Sequence, residues 1–267
     1  SIANSILFYY NNTVKIWKMG TTEKKQICEL RNKIKGIKNN VISIIKNPFI
    51  NDTNRIINFA LVIEENSSKR ILHNYLKYSS GSGKYSNNDS PIEQASSVCF
   101  LAKNKVLTLQ EGGLLVCYDP ANLSHKFQVE TGNISKDQFD SIYQGPAGKF
   151  FLKFKNGIVA LFDVSSSKII SETTEITEMK YVIWNKNMTY CALVGENLIF
   201  IVNINMDILT KIKEKSTIKS VCFDENNVLF YTTYFHVKYA LVEPGLYGIV
   251  KSTKVPIYLM AVNANTL

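Results

Sequence analysis

The chain has 267 residues, of which 45% are hydrophobic and 11% aromatic, enough for one large all-β domain with its own core. Its formal net charge is +9, and the first 90 residues hold most of it, with 14 lysines and arginines against 6 acidic residues. No apolar run approaches the roughly 18 residues of a membrane span, and the first residues lack the charged-then-apolar pattern of a secretion signal. We therefore expect neither a membrane-spanning nor a secreted protein.

The first third of the chain predicts two groups of strands. Ser5–Tyr10 and Thr13–Trp17 flank two asparagines, as in a hairpin, and Gln26–Leu30 continues them. The basic segment Arg31–Lys38 lacks periodicity and is expected to form a loop or an edge. The next predicted strands are Val41–Lys46, Ile56–Glu64 and Lys69–Tyr78.

Ser79–Asn88 is rich in serine, glycine and asparagine, a composition typical of a flexible loop. Its Gly81-Ser82-Gly83-Lys84 run is faintly similar to a phosphate-binding loop. That motif requires serine or threonine after the lysine and a helix beyond it, but Tyr85 follows the lysine here. We therefore predict a loop and no nucleotide cofactor.

The most regular stretch is Glu178–Lys213, which contains four short β-rich runs separated by polar breaks of a few residues. Turns this short join only antiparallel neighbours, so the stretch predicts a four-stranded antiparallel meander. The four predicted strands are Lys180–Trp184, Tyr190–Val194, Leu198–Asn203 and Ile208–Ile212.

The same unit recurs along the chain. Its opening run aligns on Val98, Ile142, Val182, Val221 and Ile257, in steps of 44, 40, 39 and 36 residues. Four strands in a repeat of about 40–45 residues are typical of a β-propeller blade. The predicted regular blades are about Ser97–Val129, Asp140–Glu172, Glu178–Lys213 and Ile218–Ser252.

The final run, Pro256–Val262, starts a further blade. Because sheets avoid an unpaired edge, we predict that it pairs with the first strands near Ile6–Trp17 and closes the ring. Residues 1–267 would then form a single WD-repeat-like β-propeller of about six or seven four-stranded blades. The chain begins without methionine, which we take to indicate a piece of something longer.

Cysteine usage indicates a reducing compartment such as the cytosol. The five cysteines are an odd number without close pairs, which does not make a disulfide framework. Cys99, Cys191 and Cys222 lie inside predicted strands, where cysteine acts as a small buried hydrophobe.

Histidines and carboxylates do not form a recognisable catalytic or metal site. The histidines His73, His125 and His236 lie on different blades without metal-ligand spacing. No Gly-x-Ser-x-Gly elbow is present, and the opening runs expected to face the channel are mostly apolar. We therefore expect no enzyme, metal or cofactor. The carboxylates considered, all at predicted strand ends or turns, are Glu64, Asp163 and Asp224.

A basic group in the first third could touch nucleic acid or anionic lipid. It lacks the interleaved aromatics of a nucleic-acid stacking platform, so we expect no nucleic-acid partner. At about 1 kcal/mol per charge it gives at most about 5 kcal/mol to a membrane, near millimolar affinity. A solvated loop is favoured, with a contribution to a multivalent assembly left open. The group consists of Arg31, Lys33, Lys35, Lys38 and Lys46.

Several segments from about residue 97 onwards resemble the alpha subunits of coatomer, the COPI vesicle coat. Phe100–Asn104 and Leu161–Val164 fit the same region of that family in the same order. The segments with the greatest similarity are Lys180–Trp184, Phe230–Thr233, His236–Leu241, Gly248–Val250 and Pro256–Tyr258.

The resemblance implies the second of two N-terminal WD-repeat propellers, followed in that family by a helical solenoid, so that this chain would be a fragment of a larger subunit. It implies a structural scaffold, cytoplasmic and peripheral on Golgi membranes, acting with other coatomer subunits in Golgi-to-ER retrograde and intra-Golgi transport. In that family dilysine cargo binds chiefly through the first propeller, and no cargo-binding residue could be matched here. A stand-alone adaptor propeller that binds a peptide motif or anionic lipid through its loops is the alternative, and partner-binding residues stay unassigned.

Overall fold

The computed structural model describes residues 5–10, 13–18, 24–29, 40–49, 56–65, 68–78, 85–92, 95–119, 122–176, 178–243, 245–259 and 262. Their regular structure consists of strands, apart from two three-residue 3-10 turns at Glu111–Gly113 and Lys136–Gln138. The chain divides into two compact units, Ser1–Phe150 and Phe151–Leu267.

Three antiparallel sheets of the first unit follow one another along the chain. The first contains three described strands, and the next two contain four strands each, ordered as in the sequence. The strands are β1 (Ser5–Tyr10), β2 (Thr13–Lys18), β3 (Lys24–Glu29), β4 (Asn40–Lys46), β5 (Ile56–Glu65), β6 (Ser68–Tyr78), β7 (Tyr85–Ile92), β8 (Ala95–Ala102), β9 (Lys105–Gln110), β10 (Leu115–Asp119) and β11 (Asn122–Gln128).

The boundary between the two units falls within the next sheet, and two further four-stranded sheets complete the second unit. All three are meanders in chain order, which is the sheet of a propeller blade. The strands are β12 (Phe139–Gln144), β13 (Lys149–Phe154), β14 (Val159–Asp163), β15 (Lys168–Thr173), β16 (Tyr181–Trp184), β17 (Tyr190–Val194), β18 (Leu198–Asn203), β19 (Ile208–Lys213), β20 (Ser220–Phe223), β21 (Leu229–Thr232), β22 (His236–Ala240) and β23 (Tyr247–Ser252).

The predicted meanders are confirmed, with one addition. Residues 85–88 were expected to be part of a flexible loop, but they belong to β7, which pairs with β6 from Tyr78↔Tyr85 to Ile71↔Ile92. The loop prediction is wrong there because backbone hydrogen bonds to a long neighbouring strand do not require apolar side chains. The Gly81–Lys84 run itself lies outside the described residues.

Polar side chains and glycines define the turns. The Asn156 side chain accepts a hydrogen bond from the Ile158 N–H, and Gly157 has a φ of 89°. Gly113 is required for close approach, because its φ is 77° and a Cβ there would lie 1.8 Å from the Lys136 carbonyl oxygen. Short turns of this kind permit only antiparallel pairing.

Each unit has its own apolar core. In the first unit Ala60, Val98, Phe100 and Val106 form part of one buried cluster. In the second unit Ile199, Ile201, Leu229 and Tyr231, among others, bring β18 and β21 together in another. These clusters bury apolar residues of the strands that the repeat pattern predicted.

Residues 256–259 form no strand, although the sequence predicted one there. The Leu259 N–H donates a 2.7 Å hydrogen bond to Ser220 Oγ on β20. In the first unit the Ile142 N–H donates to Ser97 Oγ in the same way, joining the first strands of successive sheets. Residues 256–259 thus lie where a further first strand would start, but the blade number and ring closure stay predictions.

Candidate interaction surface

The two histidines whose side chains are described, His125 and His236, lie on different sheets. His125 lies exposed on β11 with Asn122 Nδ2 3.4 Å from its Nε2, and His236 opens β22 and is half-buried. His73 lies on β6, and nothing is described of its side chain. Among the described residues no group of three histidines, cysteines or carboxylates is placed to hold a metal ion.

The carboxylates Asp163 and Asp224 stabilise turns. Asp163 accepts hydrogen bonds from the Ser165 N–H and hydroxyl. Asp224 accepts from the backbone N–H groups of Asn226 and Val228. Each is an Asx-type turn, the structural role that a strand-end aspartate commonly has. Glu64 lies on β5, and its side chain is outside the described part.

The basic group of the first third is described only at its end. Lys46 is exposed at the end of β4, whereas Arg31, Lys33, Lys35 and Lys38 lie outside the described residues. The favoured solvated loop, and the alternative that this group contributes to a multivalent assembly, therefore both stay predictions.

Four cysteines are free and buried: Cys99, Cys117, Cys191 and Cys222. Burial raises the pKa of the Cys117 thiol to about 11, and the nearby Lys105 only partly opposes this. Burial also raises the pKa of Cys222 to about 11, with the Asp224 carboxylate adding to the shift. Protonated buried thiols are neither nucleophiles nor ready metal ligands, so these cysteines are core residues, as was predicted for Cys99, Cys191 and Cys222.

Most of the exposed large apolar residues described in the second unit lie on its last sheet or directly after it. None of the six residues of β23 is buried, and Tyr247 and Ile249 are exposed by 52% and 56%. The residues that follow are also exposed, with Tyr258 at 63%. Apolar side chains exposed together in this way are typical of an interaction surface.

One end of this sheet combines aromatic rings with lysines. The Tyr234 and Phe235 rings, in the connection between β21 and β22, have centroids 6.0 Å apart. Lys219 Nζ lies 4.0 Å from the centroid of the Tyr234 ring, a cation–π contact. We call this area the aromatic–lysine surface, which comprises Lys219, Tyr234, Phe235, Lys251, Lys254 and Tyr258.

Backbone hydrogen bonds hold the segments of this surface together. The Thr253 N–H donates to the Phe235 carbonyl at 2.7 Å, and the Lys219 N–H donates to the Thr232 carbonyl at 2.8 Å. The Ser220 hydroxyl is 2.7 Å from the Thr232 hydroxyl. The surface is therefore formed by strand ends and connections of one sheet that are hydrogen-bonded to one another. Because they are already ordered, they lose less conformational entropy when a partner binds.

Electrostatically the surface is positive. Residues 217–220, 232–236 and 251–259 contain three lysines and no aspartate or glutamate. The neighbouring carboxylate Glu214 is already engaged by both Lys238 Nζ, at 2.8 Å from each oxygen, and the Tyr231 hydroxyl. Burial and this hydrogen bond keep the pKa of Tyr231 well above its usual range, so its hydroxyl stays protonated and donating.

Sequence reasoning did not select this surface. Phe230–Thr233 and Pro256–Tyr258 were assigned to predicted blades and noted for their resemblance to a family, because apolar residues in an all-β chain are expected to be core. A usable signal was present: residues 247–258 combine six large apolar residues with two lysines and no carboxylate. Such a composition is unusual for a strand that packs into a core.

Comparison with known families gives a match over most of the chain. The family model described as the COPA/B second beta-propeller matches residues 51–267. No helix in the part of the chain that the structure describes is long and apolar enough to cross a membrane.

Similar proteins are coatomer alpha subunits. A protein of Oryza sativa subsp. japonica, coatomer subunit alpha-2, is 30% identical over 179 residues, covering 67% of this chain and 14% of its own length. A coatomer alpha subunit of Schizosaccharomyces pombe is 38% identical over 107 residues, 40% of this chain and 9% of its own length. The chain therefore spans only about 9 to 14% of the length of these curated relatives.

Solved structures share the fold at low sequence identity. A chain in the crystal structure of the mitotic checkpoint complex superposes with a TM-score of 0.66 at 12% identity, covering 99% of this chain and 79% of that one. The crystal structure of Saccharomyces cerevisiae Sqt1 gives a TM-score of 0.60 at 12% identity, covering 92% of this chain and 70% of that one. Together with the blade-like sheets, these matches confirm the predicted WD-repeat-like β-propeller fold class.

Proposed function

Because the chain belongs to the COPA/B second β-propeller family, we propose that it is a structural scaffold and interaction propeller of the COPI coatomer coat. The observation that carries the proposal is the family match over residues 51–267. The coatomer alpha names of the relatives support it, and so do the buried, regularly repeated sheets, which suit a rigid spacer.

In this proposal the chain catalyses nothing and needs no cofactor. It contributes sheet edges and connecting loops that contact other coatomer subunits, each contact being weak alone and strengthened by the multivalent assembly. The assembled coat works in Golgi-to-ER retrograde and intra-Golgi transport, and the chain is cytoplasmic and peripheral on Golgi membranes and COPI vesicles. Dilysine cargo is held mainly by another propeller of the same subunit.

The test is affinity purification of the full-length polypeptide that carries this chain, tagged at its native level and analysed by mass spectrometry. We expect the other coatomer subunits in near-equal amounts. Cells without the tag, processed in parallel, are the control for non-specific recovery. Recovery of the polypeptide alone, or with unrelated partners only, would contradict the coat function and favour a stand-alone adaptor.

A further inference from the structure

We propose that the aromatic–lysine surface binds an extended, acidic segment of another coat polypeptide, which carries an aromatic or aliphatic anchor and lies along β23. This inference rests on the proposed function, because it takes the partner to be a member of the coat. It adds which part of the chain makes the contact and what chemistry the partner segment must have.

The anchor is argued from the exposed rings. Phe235 and Tyr258 are exposed by 56% and 63%, and the Tyr234 ring is exposed by 44% although Lys219 lies over one of its faces. Rings of this size supply most of the energy at protein interfaces when a partner removes them from water. A partner side chain that is aromatic or aliphatic can pack against them, whereas a fully polar segment cannot.

The acidic character is argued from charge complementarity. Lys251 and Lys254 are exposed, and both their segment and that of Lys219 are hydrogen-bonded to residues 232–235. The three segments that form the surface contain no carboxylate. Two carboxylates lie near these segments, and each has a lysine partner. Glu214 is held by Lys238 and Tyr231. Glu196, 3.5 Å from Thr217 Oγ1, lies 3.9 Å from Lys180 Nζ. A partner with carboxylates is therefore attracted and a basic one is repelled, which sets specificity more than affinity.

The extended conformation is argued from the sheet edge. The sheet order is β20-β21-β22-β23, so in the described residues β23 pairs on one side only, with β22. An edge strand presents backbone N–H and C=O groups that can pair with an added strand, a known mode of peptide recognition. This edge favours a polypeptide over a lipid surface, because a lipid headgroup makes no use of a strand ladder.

The experiment places the photocrosslinking amino acid p-benzoylphenylalanine at Tyr258 of the full-length subunit, within the purified coat complex. The matched control places it at Ile208, which is 42% exposed on the outer strand β19 of the neighbouring sheet. We expect Tyr258 to give one dominant crosslink to a segment of another polypeptide in which acidic residues outnumber basic ones. Ile208 should not reach that segment.

Charge reversal completes the test. Lys251→Glu with Lys254→Glu should lower the yield of the Tyr258 crosslink about tenfold, since two exposed charge contacts change from attraction to repulsion. Reversing the acidic residues of the crosslinked segment to lysine in the same background should restore the yield. A Lys186→Glu variant, which changes an exposed lysine elsewhere in the unit, should leave it unchanged.

Several results would overturn the proposal. They are a crosslink from Tyr258 to the same polypeptide, to phosphatidylcholine–phosphatidylserine vesicles added to the complex, or to a segment without excess acidic residues, or an intact complex without a crosslink. If the other coat subunits are not recovered at all, the proposed function fails and this inference fails with it. An intact complex with no crosslink from Tyr258 contradicts this inference alone.

Discussion

The two complete sheets of the second unit have the same strand order but differ in how far their third and fourth strands are buried. In the sheet β16–β19, the third strand β18 has four residues with no exposed surface, and the outer strand β19 still buries Thr210 and Ile212. In the sheet β20–β23, the third strand β22 buries only Ala240, and β23 buries none of its residues. The outer strand of the sheet β16–β19 therefore contributes to the apolar core, whereas the outer strand of the sheet β20–β23 does not.

The outer half of the last sheet is held by polar contacts instead. Glu214 accepts hydrogen bonds from the Lys238 ammonium and from the Tyr231 hydroxyl, with only 9% of the Glu214 side chain exposed. Gly248 on β23 lies so close to the Tyr239 ring that a Cβ would approach it to 3.0 Å. The comparison teaches that one repeat can be stable by apolar burial while the next keeps its apolar residues free for a partner.

The largest expected effect is on the free energy of unfolding, when one aromatic residue is truncated in each of the two sheets. Phe200→Ala on β18 removes a side chain with no exposed surface and should lower the free energy of unfolding by about 4 kcal/mol through lost burial and a cavity. Tyr247→Ala on β23 removes a ring that is 52% exposed and should change it by about 0.5 kcal/mol or less. Urea denaturation of the chain measures both changes in unfolding free energy. Equal losses would contradict the difference in burial between the two sheets.

The second prediction concerns the ion pair under the last sheet. Glu214→Gln keeps the shape but leaves the Lys238 charge, 17% exposed, without its counter-charge, and should cost about 3 kcal/mol of unfolding free energy. Adding Lys238→Met should recover part of the loss in a double-mutant cycle. The exposed pair Lys186–Glu225, at 4.0 Å, is the control, and Glu225→Gln should cost less than about 0.5 kcal/mol. An equal cost for both pairs would refute the role assigned to Glu214.

The third prediction compares equivalent turn residues. Asn185 follows β16, is 2% exposed, accepts from the Thr189 and Tyr190 N–H groups and donates to Asn227. Asn185→Ala should cost about 2 kcal/mol, because it removes a buried side chain that accepts from two backbone N–H groups and donates to Asn227. Asp224 follows β20 in the corresponding place but is half-buried, so water can replace its carboxylate.

For that reason Asp224→Ala should cost about 1 kcal/mol. Thermal unfolding of the two variants, followed by circular dichroism, gives the ranking. A greater loss for Asp224→Ala than for Asn185→Ala would show that the last sheet depends on its turns more than its neighbour does.

The smallest expected effect is a pH dependence. The folded-state pKa of Cys222 is raised to about 11 from an ordinary 9.0 by burial, so above pH 9 the unfolded thiol loses its proton while the folded one keeps it. The unfolded state then binds fewer protons, and stability falls as pH rises from about 9 towards 11, by about 1 kcal/mol at pH 10 for one thiol. Urea midpoints at pH 8 and pH 10 should fall less in Cys222→Ala than in the parent chain; an identical fall would contradict the assignment.

Much of this fold could be predicted from the sequence, because short polar turns and the β-rich runs between them are local features of the chain. Tyr190–Val194 and Leu198–Asn203 form strands with the predicted bounds. The strand β7 could not be predicted, because its sequence YSNNDSPI has few β-forming residues and its pairing depends on β6. The strand predicted at Pro256–Val262 has a suitable composition, yet residues 256–259 form none, since a strand also needs a paired neighbour.

The interaction surface was beyond sequence reasoning for a related reason. Tyr231 and Tyr234 lie three residues apart in similar apolar surroundings, but Tyr231 has no exposed surface and Tyr234 is 44% exposed. Which of the two rings is buried depends on how other segments of the chain pack against it. That packing cannot be predicted from the local composition. The absence of acidic residues from 251–259 is local, and it could have directed attention to this end of the sheet.

Amide hydrogen exchange of the full-length subunit, measured alone and in the assembled coat, tests the central claim most directly. The account predicts that residues 247–258 exchange more slowly in the assembled coat, because a partner strand would pair with β23 and cover the aromatic–lysine surface. Residues 208–213 of the neighbouring sheet should exchange at the same rate in both states. Equal exchange of residues 247–258 in the two states would contradict the claim that this sheet is where the chain joins the coat.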